Sequence, residues 1–148
     1  MNVLFVCTGN TCRSPMAEAV LRQMARERGC ESLSVRSAGL SALPGEPAAD
    51  AARLVVRQHG ATLENHASRP LTEDDVAWAD RILTMTHSHL ERLRASFPES
   101  AAAPKTLLQL LGSDRDIADP FSAEPAVYER CLATMLPALE ALCDQCEE

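Results

Sequence analysis

The chain predicts an α/β protein, a three-layer sandwich in which helices cover both faces of a central parallel sheet. Two observations carry this prediction. Before Gly39 the sequence runs from a strand-length apolar stretch at Val3–Val6, through a helical face, to a second such stretch at Leu33–Ser37. That succession is the mark of a βαβ unit, whose crossover makes its two strands parallel. The alternation then recurs around Arg81–Met85. A length of 148 residues suits one domain spanning 1–148.

The elements follow in order. Val3–Val6 is too short for anything but a buried strand. Ser14-Pro15 opens a helix, because proline in a first turn gives up an N–H that would have no partner there. Met16, Val20, Leu21 and Met24 keep one helical face, and Gly29 ends it. Leu33–Ser37 is the second strand and Leu40–Glu46 a surface loop. A helix from about Pro47 to His59 stops at Gly60. Thr72, followed by Glu73, Asp74 and Asp75, predicts an N-cap with acidic residues complementing the dipole of a short helix through Trp78. Arg81–Met85 is the third strand. Thr86 caps a helix whose face is Leu90, Leu93 and Phe97. After a loop at Pro98–Pro104, Lys105–Leu111 reads as a strand end and a helical turn. The last helix spans about Pro125 to Cys146, with Leu132, Met135, Leu136, Leu139 and Leu142 inward; Pro137 predicts a kink or local break.

Composition excludes several classes. The formal charge is −7, from 21 acidic against 14 basic residues, and Lys105 is the only lysine. Such a surface disfavours nucleic acid, whose binding rests on cations at phosphates, and disfavours anionic membranes. Aromatic residues make up 3%, so aliphatic side chains and Ala fill the core. No signal peptide or membrane-length apolar run occurs, which points to a cytoplasmic protein. The six cysteines, Cys7, Cys12, Cys30, Cys131, Cys143 and Cys146, are irregularly spaced, and a chain able to bury its own core is expected to keep them reduced. Cys143 and Cys146 form a CxxC without a second pair or a nearby His, which disfavours zinc. The tail from Asp144 to Glu148 is expected to be frayed and solvated, and Cys30 and Cys131 are expected to be structural or incidental.

The chemistry concentrates in the turn after the first strand, Cys7-Thr8-Gly9-Asn10-Thr11-Cys12-Arg13-Ser14. Ligands of parallel α/β sheets sit at the carboxyl ends of strands. Gly9 and Asn10 tolerate the positive φ that curls a loop until its N–H groups converge. The following helix N-terminus attracts an anion, and Arg13 supplies a planar fork for two phosphate oxygens. The same positive field favours Cys7 as thiolate. A nucleophile under an oxyanion cradle is equipment for covalent phosphoryl transfer. Neither a Walker A pattern nor GxGxxG is present, which removes nucleotide binding.

The segment CTGNTCRSPMAE, Cys7 to Glu18, closely resembles the nucleophile loop of the low-molecular-weight protein tyrosine phosphatase family. The likeness continues through Arg36-Ser37-Ala38-Gly39, Asn65-His66, Ser68-Arg69-Pro70, Met85-Thr86-His87 and Asp119-Pro120-Phe121. The resemblance implies a four-stranded parallel sheet, no metal or cofactor, and a phosphocysteine intermediate. It implies Cys7 as nucleophile, Arg13 as phosphoryl clamp, Ser14 as hydrogen-bond partner of the Cys7 thiolate, Asn10 as holder of the loop and Asp119 as general acid, then base. In related phosphatases the pair matching Cys7 and Cys12 closes into a protective disulfide. His66, His87 and His89 are read as anchors of loops and helix caps. Tyrosine-specific members usually carry Ile or Leu where this chain has Thr11, and two aromatics after the Asp-Pro, whereas Phe121 here is followed by Ser122. Thr11 and Asp-Pro-Phe resemble the bacterial protein arginine phosphatases of the family, which implies phosphoarginine in proteins as the substrate; phosphotyrosine is the alternative, and a monomer is expected. Arsenate reduction lacks its relay, because Asp80–Glu99 holds no cysteine, and a phosphoresidue-binding module would have no use for Asp119.

Overall fold

The computed structural model describes residues 1–147. Four parallel strands are bonded in the order β2-β1-β3-β4: β1 (Asn2–Cys7), β2 (Ser34–Gly39), β3 (Arg81–Thr84) and β4 (Lys105–Thr106). This is the predicted three-layer sandwich. Alternate residues of β1 point to opposite faces, as the pleat requires. Val3, Phe5 and Cys7 pack under α1 (Arg13–Glu27), α2 (Asp50–Gln58) and α5 (Pro125–Glu147). Leu4 and Val6 face α3 (Glu73–Trp78) and α4 (His87–Ser96). All five are buried, which is why the strand reads as a continuous apolar run.

Both predicted threonine caps form. Thr72 Oγ1 accepts from Asp75 N at 3.2 Å while Asp75 Oδ2 accepts from Thr72 N at 3.1 Å, a reciprocal capping box. Thr86 Oγ1 accepts from His89 N at 3.1 Å. The ambiguous apolar run resolves as expected, into β4 and a 3₁₀ turn at Leu107–Leu111. The helix α2 starts later than Pro47, at Asp50, because Ala49 before it has a non-helical ψ of 144°; its amide donates 3.0 Å to the carbonyl of Thr11. Pro137 does not break α5, which is helical from Pro125 to Glu147. No helix among the described residues is long and apolar enough to cross a membrane.

Two expectations need correction, the frayed tail and cysteines that are all reduced, whereas a structural Cys30 was expected. Cys143 is fully buried rather than frayed, and Cys30 and Cys146 are joined in a disulfide across 116 residues. The continuity of α5 is the reason: its last turn reaches the segment between α1 and β2, where Arg28 also pairs with Asp144 at 2.7 Å. Glu148 lies outside the described residues.

Candidate active site

The loop between β1 and α1 lies at the carboxyl end of the sheet, at its centre. Five of its carbonyls are tied down from outside. Those of Cys7 and Thr8 accept from Leu40 and Ser41 at 2.9 Å each, that of Thr11 from Ala49, and that of Cys12 from Met16 at 3.1 Å. The fifth, of Asn10, meets His66 Nε2 at 2.7 Å. The amides of Gly9 to Arg13 donate to no protein group among the described residues. Carbonyls out and amides in is the arrangement of an anion nest.

Asn10 is the keystone of this curl. It is buried and has a φ of 57°, the left-handed conformation that Asn tolerates better than most residues. Its Nδ2 donates to Ser14 Oγ at 3.0 Å and to Ser37 Oγ at 2.9 Å, and its Oδ1 accepts from Arg69 N at 3.0 Å. Ser37 in turn donates to Glu18 at 2.6 Å. Because Ser14 Oγ accepts from Asn10, its own proton is free to point at Cys7 Sγ, 2.8 Å away. The sequence thus orients a hydrogen-bond donor at the sulfur through residues on three elements.

Gly39 lets the loop sit this close to β2. A Cβ there would stand 2.6 Å from the Thr8 carbonyl and 2.8 Å from Ala42 Cβ. No side chain fits. On the opposite flank Thr8 Oγ1 bonds His89 Nε2 at 2.8 Å. Burial, followed by the charges of Arg13 and Arg92, lowers the pKa of His89 to about 4, so the anchor is a neutral imidazole. His87 Nδ1 meets Asp116 at 2.8 Å. All three histidines read as anchors therefore hold loops.

Arg13 is buried, and its Nη1 donates 2.8 Å to the carbonyl of Ile117. Its Nη2 is 3.7 Å from Asp119 Oδ2. Asp119 itself is half exposed, and its Oδ1 accepts from Phe121 N at 3.0 Å, an Asx turn that aims the carboxylate from a loop. Cys7, Thr8, Gly9, Thr11, Cys12, Arg13, Asp119 and Phe121 together line one cavity of about 250 Å³. The structure thus brings together the residues the sequence singled out, apart from Asn10 and Ser14, which support the loop from behind.

Cys12 lines this cavity but differs from Cys7 in its surroundings. Burial raises its thiol pKa despite hydrogen bonds from Tyr128 Oη at 3.3 Å and Thr11 Oγ1 at 3.7 Å. Burial likewise pushes Cys131 up to about 12. Sequence reasoning missed Tyr128, the chain's only tyrosine, whose contact with Cys12 spans more than a hundred positions. It also missed the ion-pair cluster behind the loop, where Arg69 and Arg36 converge on Asp75. Burial alone would raise the Asp75 carboxyl, but its bonds from Arg69 and Thr72 outweigh that and hold it below its usual range.

The model of the low molecular weight phosphotyrosine protein phosphatase family matches residues 2–148. The chain belongs to that family. It is 38% identical over 147 residues to the protein-arginine-phosphatase of Bacillus subtilis, covering 98% of this chain and 96% of that protein. It is also 34% identical over 139 residues to a probable low molecular weight protein-tyrosine-phosphatase of Ralstonia nicotianae, covering 94% and 91% of the two. Among solved structures, an arginine phosphatase in the form of a cysteine-to-serine mutant with its active-site serine phosphorylated superposes with a TM-score of 0.93. That match is 36% identical and covers 100% of this chain and 97% of the other. As a member of this family the chain is a protein phosphatase working through a cysteine phosphoenzyme.

Proposed function

We propose that this phosphatase removes phosphate from phosphoarginine in proteins, with Cys7 as nucleophile. The thiolate of Cys7 attacks phosphorus in line with the bond to the guanidinium nitrogen. Arg13 and the inward amides take the charge of the phosphoryl oxygens, which is greatest at the transition state. Asp119, on the exposed side of the cavity, gives its proton to the leaving nitrogen as the P–N bond breaks. The products of this half-reaction are S-phosphocysteine at Cys7, an arginine guanidinium that holds the transferred proton, and the Asp119 carboxylate. Asp119, now a carboxylate, removes a proton from water as the water oxygen attacks phosphorus, and the P–S bond breaks. Phosphate leaves, Asp119 is again protonated and Cys7 again a thiolate, stabilised by the Ser14 hydroxyl.

The observation that carries the choice of phosphoarginine is Thr11 in the wall of the same cavity as Cys7 and Asp119. A hydroxyl there suits a polar guanidinium better than a phenyl ring, and only one aromatic, Phe121, stands at the mouth. The likeness to protein-arginine-phosphatases supports this reading; the likeness to tyrosine phosphatases keeps phosphotyrosine as the alternative. We further assign the enzyme to the cytoplasm, as a monomer, with Cys12 poised to form a disulfide with an oxidised Cys7 and so protect it from further oxidation. A side-by-side kinetic panel on phosphoarginine and phosphotyrosine peptides, run in reductant, tests the substrate. The expected result is a higher kcat/KM for phosphoarginine, shifted toward phosphotyrosine by Thr11→Ile. A wild-type preference for phosphotyrosine overturns the assignment.

A further inference from the structure

Phe121 belongs to two cavities. It forms part of the wall around Cys7, and it also borders an open groove of about 450 Å³ on the outside of that wall. The groove runs between the first turns of α2 and the start of α5. Ala49, Ala51 and Leu54 line one side, and Phe121, Ala123 and Tyr128 the other. Ala49 is fixed to the catalytic loop through the Thr11 carbonyl, so both banks are tied to the active site.

Two costs meet at this groove. Phe121 is 68% exposed and Leu54 40% exposed, although each would be more stable covered. The turn that presents Phe121 is closed by a 2.9 Å bond from Ala123 N to the Pro120 carbonyl, and its third residue, Ser122, has a φ of 61°. A non-glycine residue in that region is uncommon and strained. An exposed ring held out by a strained turn beside an active site indicates that something covers the ring in use.

We infer that the groove is a subsite for an apolar side chain adjacent to the phosphorylated residue in the protein substrate. The phosphoryl group is pinned at Arg13, so the substrate backbone must leave the small cavity past Phe121. A neighbouring residue, one Cα step away, then falls over the groove. The groove has no cation among its lining residues, and its one charged side chain is Asp50, already paired with Arg53. An aliphatic or aromatic neighbour is favoured and an acidic one disfavoured. This inference rests on the reading of the chain as a protein phosphatase, and the groove lies to one side of the cavity, so the preference is confined to one side of the phosphoresidue.

The test uses the whole enzyme and phosphoarginine peptides that differ only in the residue before, or only in the residue after, the phosphoresidue, with Leu, Gly or Glu there. A parallel series carries phosphotyrosine. For the wild type, Leu should exceed Gly by about fivefold to tenfold in kcat/KM at one of the two positions, with Glu lowest. Leu54→Ala and Leu54→Asp should each bring the Leu-to-Gly ratio close to one. Leu54 is half out of the protein, and circular dichroism checks that both variants are folded. A wild-type ratio of one at both positions overturns the subsite, as does a ratio that survives in both variants. If only the phosphotyrosine series turns over, the phosphoarginine reading fails, while the ratio within that series still decides the subsite.

Discussion

At the carboxyl end of the sheet, order comes from many hydrogen bonds converging on Asn10; at the amino end it comes from one covalent tie. Around the catalytic loop, Ser14, Ser37, His66 and Arg69 all bond to one buried side chain or its carbonyl, and that residue sits at a φ of 57°. At the opposite end the Cys30–Cys146 disulfide joins α5 to the approach to β2, with the terminal amine of Met1 on the Ser32 carbonyl at 2.6 Å. Six cysteines divide along the same line. Cys7, Cys12 and Cys131 lie near the site, and Cys30, Cys143 and Cys146 lie at the far end. The lesson is that one residue type serves chemistry where polar groups and open amides surround it, and serves cohesion where it is paired or enclosed.

Perturbing the carboxyl end should change rate far more than stability. Asp119→Asn should lower kcat by about a hundredfold to ten-thousandfold, with a smaller loss for substrates whose leaving group needs no proton. A steady-state comparison of good and poor leaving groups checks this.

Next in size is Asn10. Asn10→Ala removes three side-chain bonds from a buried site and leaves Ser37 and Arg69 N short of partners. It should cost about tenfold to a hundredfold in kcat/KM, since small misplacements of reacting groups are expensive. Asn10→Gly separates the causes. Glycine relieves the backbone but restores no bond, so activity should stay low; recovery in Asn10→Gly would show that the conformation alone matters.

The amino end should behave in the opposite way. Cys146→Ser should lower unfolding free energy by about 2–4 kcal/mol, the usual effect of losing a disulfide, and leave kcat unmoved. Thermal melts and turnover on the same preparation check both halves. A fall in kcat without a fall in melting temperature would erase the contrast between the two ends.

The smallest expected effect belongs to His89. With a pKa of about 4 in the folded chain against 6.5 for the free side chain, the unfolded state binds its proton first as pH falls. Its contribution is therefore intact above pH 6.5 and declines as pH falls to about 4. Denaturant unfolding across that window should show the decline, and a His89→Asn variant should flatten it.

The difference between the ends also decides how much could be read in the sequence. The catalytic loop was legible because its chemistry is local: Cys7, Asn10, Arg13 and Ser14 fall within eight consecutive residues, next to a strand end and a Ser-Pro helix start. The threonine caps were legible for the same reason. The disulfide was not, because its partners are 116 residues apart and the acidic tail from Asp144 suggested a frayed end rather than a packed last turn of α5. Nor were Tyr128 on Cys12 or Arg69 on Asn10, which depend on how α5 and the segment before α3 pack. Trp78 is only partly buried and lies under the Arg36 guanidinium at 4.1 Å, a cation–π contact that no local pattern announces.

The central claim is that Cys7 carries the phosphoryl group. Rapid quench of the enzyme during turnover of a phosphoarginine peptide, followed by mass spectrometry of the digested protein, measures this directly. The account predicts a phosphate adduct on the peptide containing Cys7, formed within the first turnover and lost at the rate of phosphate release, and no steady-state turnover by Cys7→Ser. An adduct on another residue, or undiminished turnover by Cys7→Ser, would contradict it.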